Sequence, residues 1–135
     1  MKNIILSFLF FLLTLTNVVA QFAEPAVTGA NFVPGNVDVG QTALLTISFA
    51  NSGSTPIPAG SIELTISTAG NYYSTNGTTA PSGSGGALFT WTYLGADTWR
   101  GSNTNAIPAF GGGAVTLQVS GTALSPGFEV TNINV

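Results

Sequence analysis

The side chains that could do chemistry in this 135-residue chain are few, and most of them are carboxylates. Histidine and cysteine are absent, so neither a Ser-His-Asp nor a Cys-His nucleophile can be assembled. Zinc would lack both of its preferred ligands. The acidic residues are widely spaced in the sequence and are Glu24, Asp38, Glu63, Asp97 and Glu129. These residue types predict a protein that is not an enzyme.

Two kinds of carboxylate site stay open at this point. Two carboxylates could meet in space and hydrolyse a glycosidic bond, although no local motif indicates such a pair. A weak calcium site could use Asp38 or Asp97 with backbone carbonyls, but the sequence has no Asp-x-Asp-x-Asp-Gly run. We therefore predict no metal centre and no cofactor.

Aromatic side chains are the other group that could bind a ligand. Tyr72 and Tyr73 are adjacent, so in a strand their side chains would point to opposite faces and one could be exposed. Together with Trp99 they are candidate ligand-binding residues that could stack against a sugar ring. The alternative is that the tyrosines pin a polar connection to the domain. Trp91 lies in an alternating aromatic run and is predicted to be the central tryptophan of the core.

The elements that must position these residues are short β-strands, because apolar and polar residues alternate with period two. The alternation is clearest in four runs: Thr42 to Ala50, Ser61 to Ser67, Ala87 to Gly95 and Ala114 to Gly121. Weaker candidates are Ala26 to Val33, Asp97 to Gly101 and Phe128 to Val135. About seven short strands separated by turn residues predict an all-β fold, an immunoglobulin-like antiparallel β-sandwich.

The connection from Asn71 to Gly86 is long, polar and uncharged. Connections of this length are uncommon inside a compact domain and are usually functional or disordered. We therefore expect this segment to be dispensable for folding.

The first 20 residues have the layout of a secretory signal peptide. Lys2 precedes a 12-residue apolar run from Ile4 to Leu15, and Val18 and Ala20 supply the small residues of a cleavage site. An uncleaved anchor is the alternative, but the run is short for a bilayer, which needs about 20 apolar residues. The domain would then comprise residues 21–135, with no membrane span after signal removal.

The charge of the mature chain restricts its partners. Arg100 is its one basic residue, against five carboxylates. One cation cannot neutralise a row of phosphates, so we predict that the protein binds no nucleic acid.

The corner after the first strong strand is predicted to be a turn. Asn51 and Gly53 both tolerate left-handed backbone angles, and an Asn side chain can bond the backbone two residues further on. Pro56 and Pro58 then withhold amide donors, which protects a sheet edge from pairing with another chain. Asn51 and Gly53 are therefore interpreted as architectural residues.

The region around this corner carries a resemblance to known families. A Val-x-x-Gly-Gln lead enters a Thr-rich strand that ends in Asn-x-Gly, and the matching residues are Val37, Gly40, Gln41, Asn51 and Gly53. This pattern resembles the immunoglobulin-like repeats of bacterial surface proteins, namely the conserved-repeat domain and the cell-adhesion-related domain of Bacteroidota-like bacteria. The later IPAFGGGAVTLQVSG resembles their Ile-Pro-x-Gly-Gly entry into the penultimate strand. The aromatic FTWTY and DTW runs depart from those families.

The resemblance implies a non-catalytic structural or adhesive module, secreted or held at a bacterial cell surface, alone or as the first domain of a larger adhesin. Its partner would be a protein or a glycan at that surface. One alternative is a carbohydrate-binding module that uses Tyr72, Tyr73 and Trp99. The other is a self-associating filament subunit that donates a terminal strand to its neighbour.

We predict that the exported protein begins at Gln21, because Val18 and Ala20 occupy the −3 and −1 positions of the cleavage site. Intact-mass measurement of exported material is the test. A mass that includes residues 1–20 would contradict the prediction.

Overall fold

The protein is built from two four-stranded antiparallel sheets packed face to face. The structure is a computed structural model and describes residues 22–35, 37–68, 73–75, 77–123 and 132–134. Its strands are β1 (Pro25–Val33), β2 (Thr42–Asn51), β3 (Glu63–Ser67), β4 (Tyr73–Ser74), β5 (Phe89–Gly95), β6 (Thr98–Asn103), β7 (Gly112–Gly121) and β8 (Asn132–Asn134). A short 3₁₀ turn spans Gly86–Leu88. The prediction of an all-β sandwich is confirmed, with eight strands in this part of the chain.

The order of strands differs from the order of the sequence. One sheet has the order β1-β2-β7-β4 and the other β5-β6-β3-β8. β2 pairs with β7 over nine residue pairs, from Thr42 with Ser120 to Ala50 with Gly112. We call the end of the sandwich where β2 finishes and β3 begins the corner end, and the end where β5 turns into β6 the far end.

The alternation that predicts the strands also determines which side chains are buried. In β2, Leu45, Ile47 and Phe49 face inward and are buried, whereas Leu44 points outward and is exposed. Each fully buried side chain of this kind contributes about 1.5–3 kcal/mol to the free energy of folding. Phe49 contacts Phe89 of the opposite sheet edge to face, with ring centroids 5.5 Å apart. The core therefore joins the two sheets through β2 and β5.

The two tryptophans have roles that differ from the sequence prediction. Trp99, and not Trp91, is the buried tryptophan, since only 5% of its surface is exposed. Trp91 is half-buried and covers Gly101 of β6, where a Cβ atom would lie 2.8 Å from the indole ring. Its Nε1 donates a hydrogen bond of 3.0 Å to the carbonyl of Gly86. The prediction of Trp91 as the central core tryptophan is therefore wrong, because a glycine opposite it lets its ring lie at the margin of the core.

The segment before β5 belongs to the sheet. β4 pairs with the end of β7, and the chain then follows the same strand. Ser82 and Thr116 exchange two backbone hydrogen bonds of 2.9 and 2.8 Å, and the amide of Gly85 donates to Ala114. The interpretation of this segment as a polar loop is therefore wrong, because its glycines and serines form the edge of the sheet along β7.

Glycine is needed at that edge for close approach. A Cβ atom on Gly85 would lie 2.4 Å from the ring of Phe49. The many glycines of the segment thus allow tight packing against the core. In the sequence, the same glycines resemble those of a loop.

Several predicted features lie outside the described residues. They are the signal peptide at 1–20, Tyr72, and Glu129 in the last predicted strand. β8 covers part of that strand and pairs with β3, with Thr65 opposite Asn134 and Ser67 opposite Asn132.

Replacing Ser74 to Gly85 with a short Gly-Ser link should destabilise the domain. The change removes the backbone hydrogen bonds along β7, and at about 1 kcal/mol for each bond we expect a loss of about 3 kcal/mol or more. Urea unfolding measures the loss, with Ala80→Ser in the same segment as a control because Ala80 is exposed. An unchanged midpoint for the replacement would restore the prediction of a dispensable loop.

Candidate functional site

Asn51 holds the corner end together. Its side chain is fully buried at the end of β2. Its Oδ1 accepts hydrogen bonds from the amides of Glu24 (2.9 Å) and Gly53 (3.1 Å). Its Nδ2 donates to the carbonyls of Thr55 (2.7 Å) and Pro108 (3.1 Å). One neutral amide therefore fixes the start of β1, the corner itself and a loop more than fifty residues away.

Gly53 is required here by close approach of the backbone. A Cβ atom at this position would lie 2.1 Å from the carbonyl oxygen of Phe22 and 2.7 Å from the amide nitrogen of Glu24. The amide of Thr55 also donates to the Phe22 carbonyl, at 3.4 Å. The segment that leads into β1 is thus packed directly on the corner.

Asn103, at the end of β6, performs the same task from the other sheet. It is buried, its Oδ1 accepts from the amide of Ile62 at 3.0 Å, and its Nδ2 donates to the carbonyls of Pro58 (2.8 Å) and Asn105 (3.1 Å). The two asparagines are reciprocal, since each donates to the proline carbonyl of the loop that follows the other. We call this arrangement the asparagine brace (Asn51 and Asn103 with the carbonyls of Pro58 and Pro108).

The two loops joined by the brace carry the same tripeptide. Ile57 and Ile107 each begin an Ile-Pro-Ala sequence, and their backbones exchange two hydrogen bonds of 2.9 Å. Both isoleucines are buried, with at most 2% of their surface exposed. The loops thus form a miniature antiparallel pair that closes the corner end over the core.

The residue after each Ile-Pro-Ala sequence has a positive φ angle. In the first turn it is Gly60, with φ +75°. In the second turn it is Phe110, with φ +56°. A bulky residue in the left-handed region is an outlier, because its Cβ crowds the backbone there. The chain therefore places an aromatic residue where the matching turn uses glycine.

Phe110 is also the most exposed of the large hydrophobic residues in the described part of the chain, with 75% of its surface accessible. Its amide donates to the carbonyl of Gly53 at 3.3 Å, so its backbone lies against the corner. Phe22, whose carbonyl oxygen also lies against Gly53, is 53% exposed. We call this surface the corner tip (Phe22, Glu24 and Phe110, around the buried backbone of Gly53), and it is the candidate functional site.

Tyr73 and Trp99 are the two described members of the aromatic platform predicted from the sequence, and neither presents a free ring. Trp99 is buried, so the prediction that its ring is available for stacking is wrong. Tyr73 is half-buried and stacks on Phe32, with ring centroids 4.7 Å apart and planes at 22°. Tyr73 therefore pins its segment to the domain, which is the alternative that the sequence left open.

Asp97 and Glu63 make local contacts with neighbouring side chains and amides. Asp97 accepts from the Ser74 hydroxyl at 2.6 Å and from the Thr75 amide at 3.0 Å. Glu63 faces Arg100 at 3.8 Å in an exposed pair, which contributes little to stability. Asp97 thus ties the β5–β6 turn to the β4 segment.

Two features are absent from the described residues. Among them, no group of three His, Cys, Asp or Glu side chains could hold a metal ion. The same residues include no helix of the length and apolarity needed to cross a membrane.

Sequence reasoning missed both the brace and the corner tip. The repeated Ile-Pro-Ala tripeptide was an available signal for the first. For the corner tip, the signal was that Phe110 follows the second tripeptide, whereas Gly60 follows the first. Neither signal predicts a site unless the two loops are known to pair, and that pairing is visible only in the structure.

Comparisons with family models, curated proteins and solved structures give no match to the chain.

Replacing Asn51 with alanine should cost about 3–5 kcal/mol of stability. The change leaves the buried amide of Gly53 and three partly buried backbone groups without their partner, and each unsatisfied buried group costs about 1–3 kcal/mol. Urea unfolding is the measurement. The matched control is Asn31→Ala on β1, an exposed position where we expect a change within about 0.5 kcal/mol. A loss below about 1 kcal/mol for Asn51→Ala would show that water replaces the amide.

Proposed function

We propose that the mature chain is a non-catalytic adhesive module, exported to a bacterial cell surface, where it binds a protein partner. The observation that carries the proposal is the corner tip. Two large apolar side chains stand exposed on a backbone that the asparagine brace holds rigid. Rigid presentation of an aromatic anchor lowers the entropic cost of binding.

The composition of the domain supports this role. A surface with very few charges and a body without cysteine suit a packed spacer or adhesive unit better than an electrostatic binder. The sandwich and the Asn-x-Gly corner agree with the resemblance to immunoglobulin-like repeats, and we include that class in the proposal. Export is supported by the layout of the first 20 residues.

The alternative functions have less geometric support. The glycan-binding platform predicted from the sequence would need Tyr73 and Trp99 to present their rings, but Tyr73 is stacked on Phe32 and Trp99 lies in the core. Donation of an amino-terminal strand to a neighbour would need that strand to be unpaired. β1 is paired with β2 at eight positions of its own domain.

The proposal is tested by adhesion of coated beads to intact producing cells. Beads that carry the mature chain should adhere, and beads that carry serum albumin should not. Trypsin treatment of the cells should abolish adhesion if the partner is a protein, whereas periodate oxidation of surface sugars should leave it unchanged. Failure of the coated beads to adhere would contradict the proposal, and sensitivity to periodate alone would point to the glycan alternative.

A further inference from the structure

The two Ile-Pro-Ala turns provide an internal comparison for Phe110. In the second turn the amide of Gly111 donates to the carbonyl of Pro108 at 3.0 Å, which places Phe110 at the third position of a four-residue turn. A positive φ angle at that position favours glycine. Gly60 occupies the corresponding position in the first turn, with φ +75°. The first turn therefore shows that glycine is sufficient to form this turn, so the turn itself does not require a phenylalanine.

Phe110 adds no burial that would offset its backbone strain. Three quarters of its surface is exposed, and it is not among the residues packed against the core. Strained residues persist where the surrounding structure determines them, and they concentrate at functional sites. Here the surroundings are the brace and the hydrogen bond from Phe110 to Gly53.

From this comparison we infer that Phe110 is the anchor residue of a protein–protein interface, an inference that rests on the proposed function. Its ring enters an apolar pocket of the partner, and Phe22 packs on the rim of the same contact. Aromatic anchors in desolvated pockets supply much of the binding energy of such interfaces.

The charge at the corner tip indicates the chemistry of the partner. Glu24 is exposed beside Gly53, and its carboxylate is contacted by the Ser52 hydroxyl at 3.2 Å. A pocket with lysine or arginine on its rim would complement this carboxylate. A second copy of the chain fits less well, because it brings another Glu24 and its arginine lies beside Glu63 on the other sheet.

The central test is Phe110→Gly in the mature chain, using the bead assay on intact producing cells. We expect adhesion to fall about tenfold or more while the melting temperature stays the same or rises, since glycine relieves the left-handed strain. Phe110→Asn is the second variant, because Asn also tolerates this backbone region. Leu94→Ser is the matched control, an exposed apolar residue at the far end, and should leave adhesion unchanged.

Charge and contact are tested separately. Glu24→Gln should weaken adhesion by about two- to threefold at low salt and have little effect at high salt. A photoreactive benzoylphenylalanine at position 110 should cross-link to a trypsin-sensitive surface protein, and the same group at position 94 should not. In the partner protein, the residue cross-linked to position 110 should have a lysine or arginine close to it on the surface.

The outcomes separate this inference from the proposed function. If wild-type beads adhere and Phe110→Gly beads adhere equally well, the anchor is overturned and the adhesive module stands. If wild-type beads do not adhere, both the proposed function and the anchor role of Phe110 are contradicted. A periodate-sensitive contact, or a cross-link from position 110 to another copy of the chain, would overturn the partner stated here.

Discussion

The corner end depends on two buried neutral amides that each satisfy backbone groups from distant loops. A side-chain amide offers two donors and an acceptor oxygen with two lone pairs. Asn51 uses both ends of its amide, and Asn103 does the same from the opposite sheet. In a chain without disulfides, these contacts take the place of covalent links between loops. Their burial is favourable because each amide end finds partners.

The brace explains why the same end of the molecule can present a strained, exposed aromatic residue. Each Ile-Pro-Ala loop is held by the asparagine of the other and by the paired backbones of Ile57 and Ile107. Phe110 follows directly from this fixed segment. The backbone angle of Phe110 is therefore held by a turn whose neighbours are fixed by hydrogen bonds on both sides. The same hydrogen bonds therefore fix the loops of the corner end and hold Phe110 at the surface.

The strands were predictable because their signal is local. Alternation in β2, β3 and β7 identifies both the strand and its buried face, and the structure agrees at Leu45, Leu64 and Leu117. The exceptions are instructive. The composition of β4 and its continuation predicts a loop, because glycines that pack against Phe49 and β7 are the same residues that make a connection flexible. How tightly a segment packs in the folded domain cannot be inferred from its amino-acid composition.

The candidate site was not predictable in the same way. Aromatic residues were candidates because of their type, but Trp99 is placed in the core by its inward position opposite Ile66. Asn51 was identified as a corner residue from its spacing to Gly53, and the amide of Gly53 does donate to its side chain. Its contacts with Glu24 and Pro108 could not be inferred, because they join residues 27 and 57 positions apart.

The long strands, their inward faces and the residue types available for chemistry follow from the sequence alone, since period-two alternation and composition act within a few residues. Three outcomes needed the tertiary structure: which tryptophan is buried, that the segment before β5 belongs to a sheet, and that the backbones of Phe22 and Phe110 both lie against Gly53. The physical reason is that these outcomes depend on which strands become neighbours. That choice is made by the packing of two sheets and by hydrogen bonds between loops far apart in the chain.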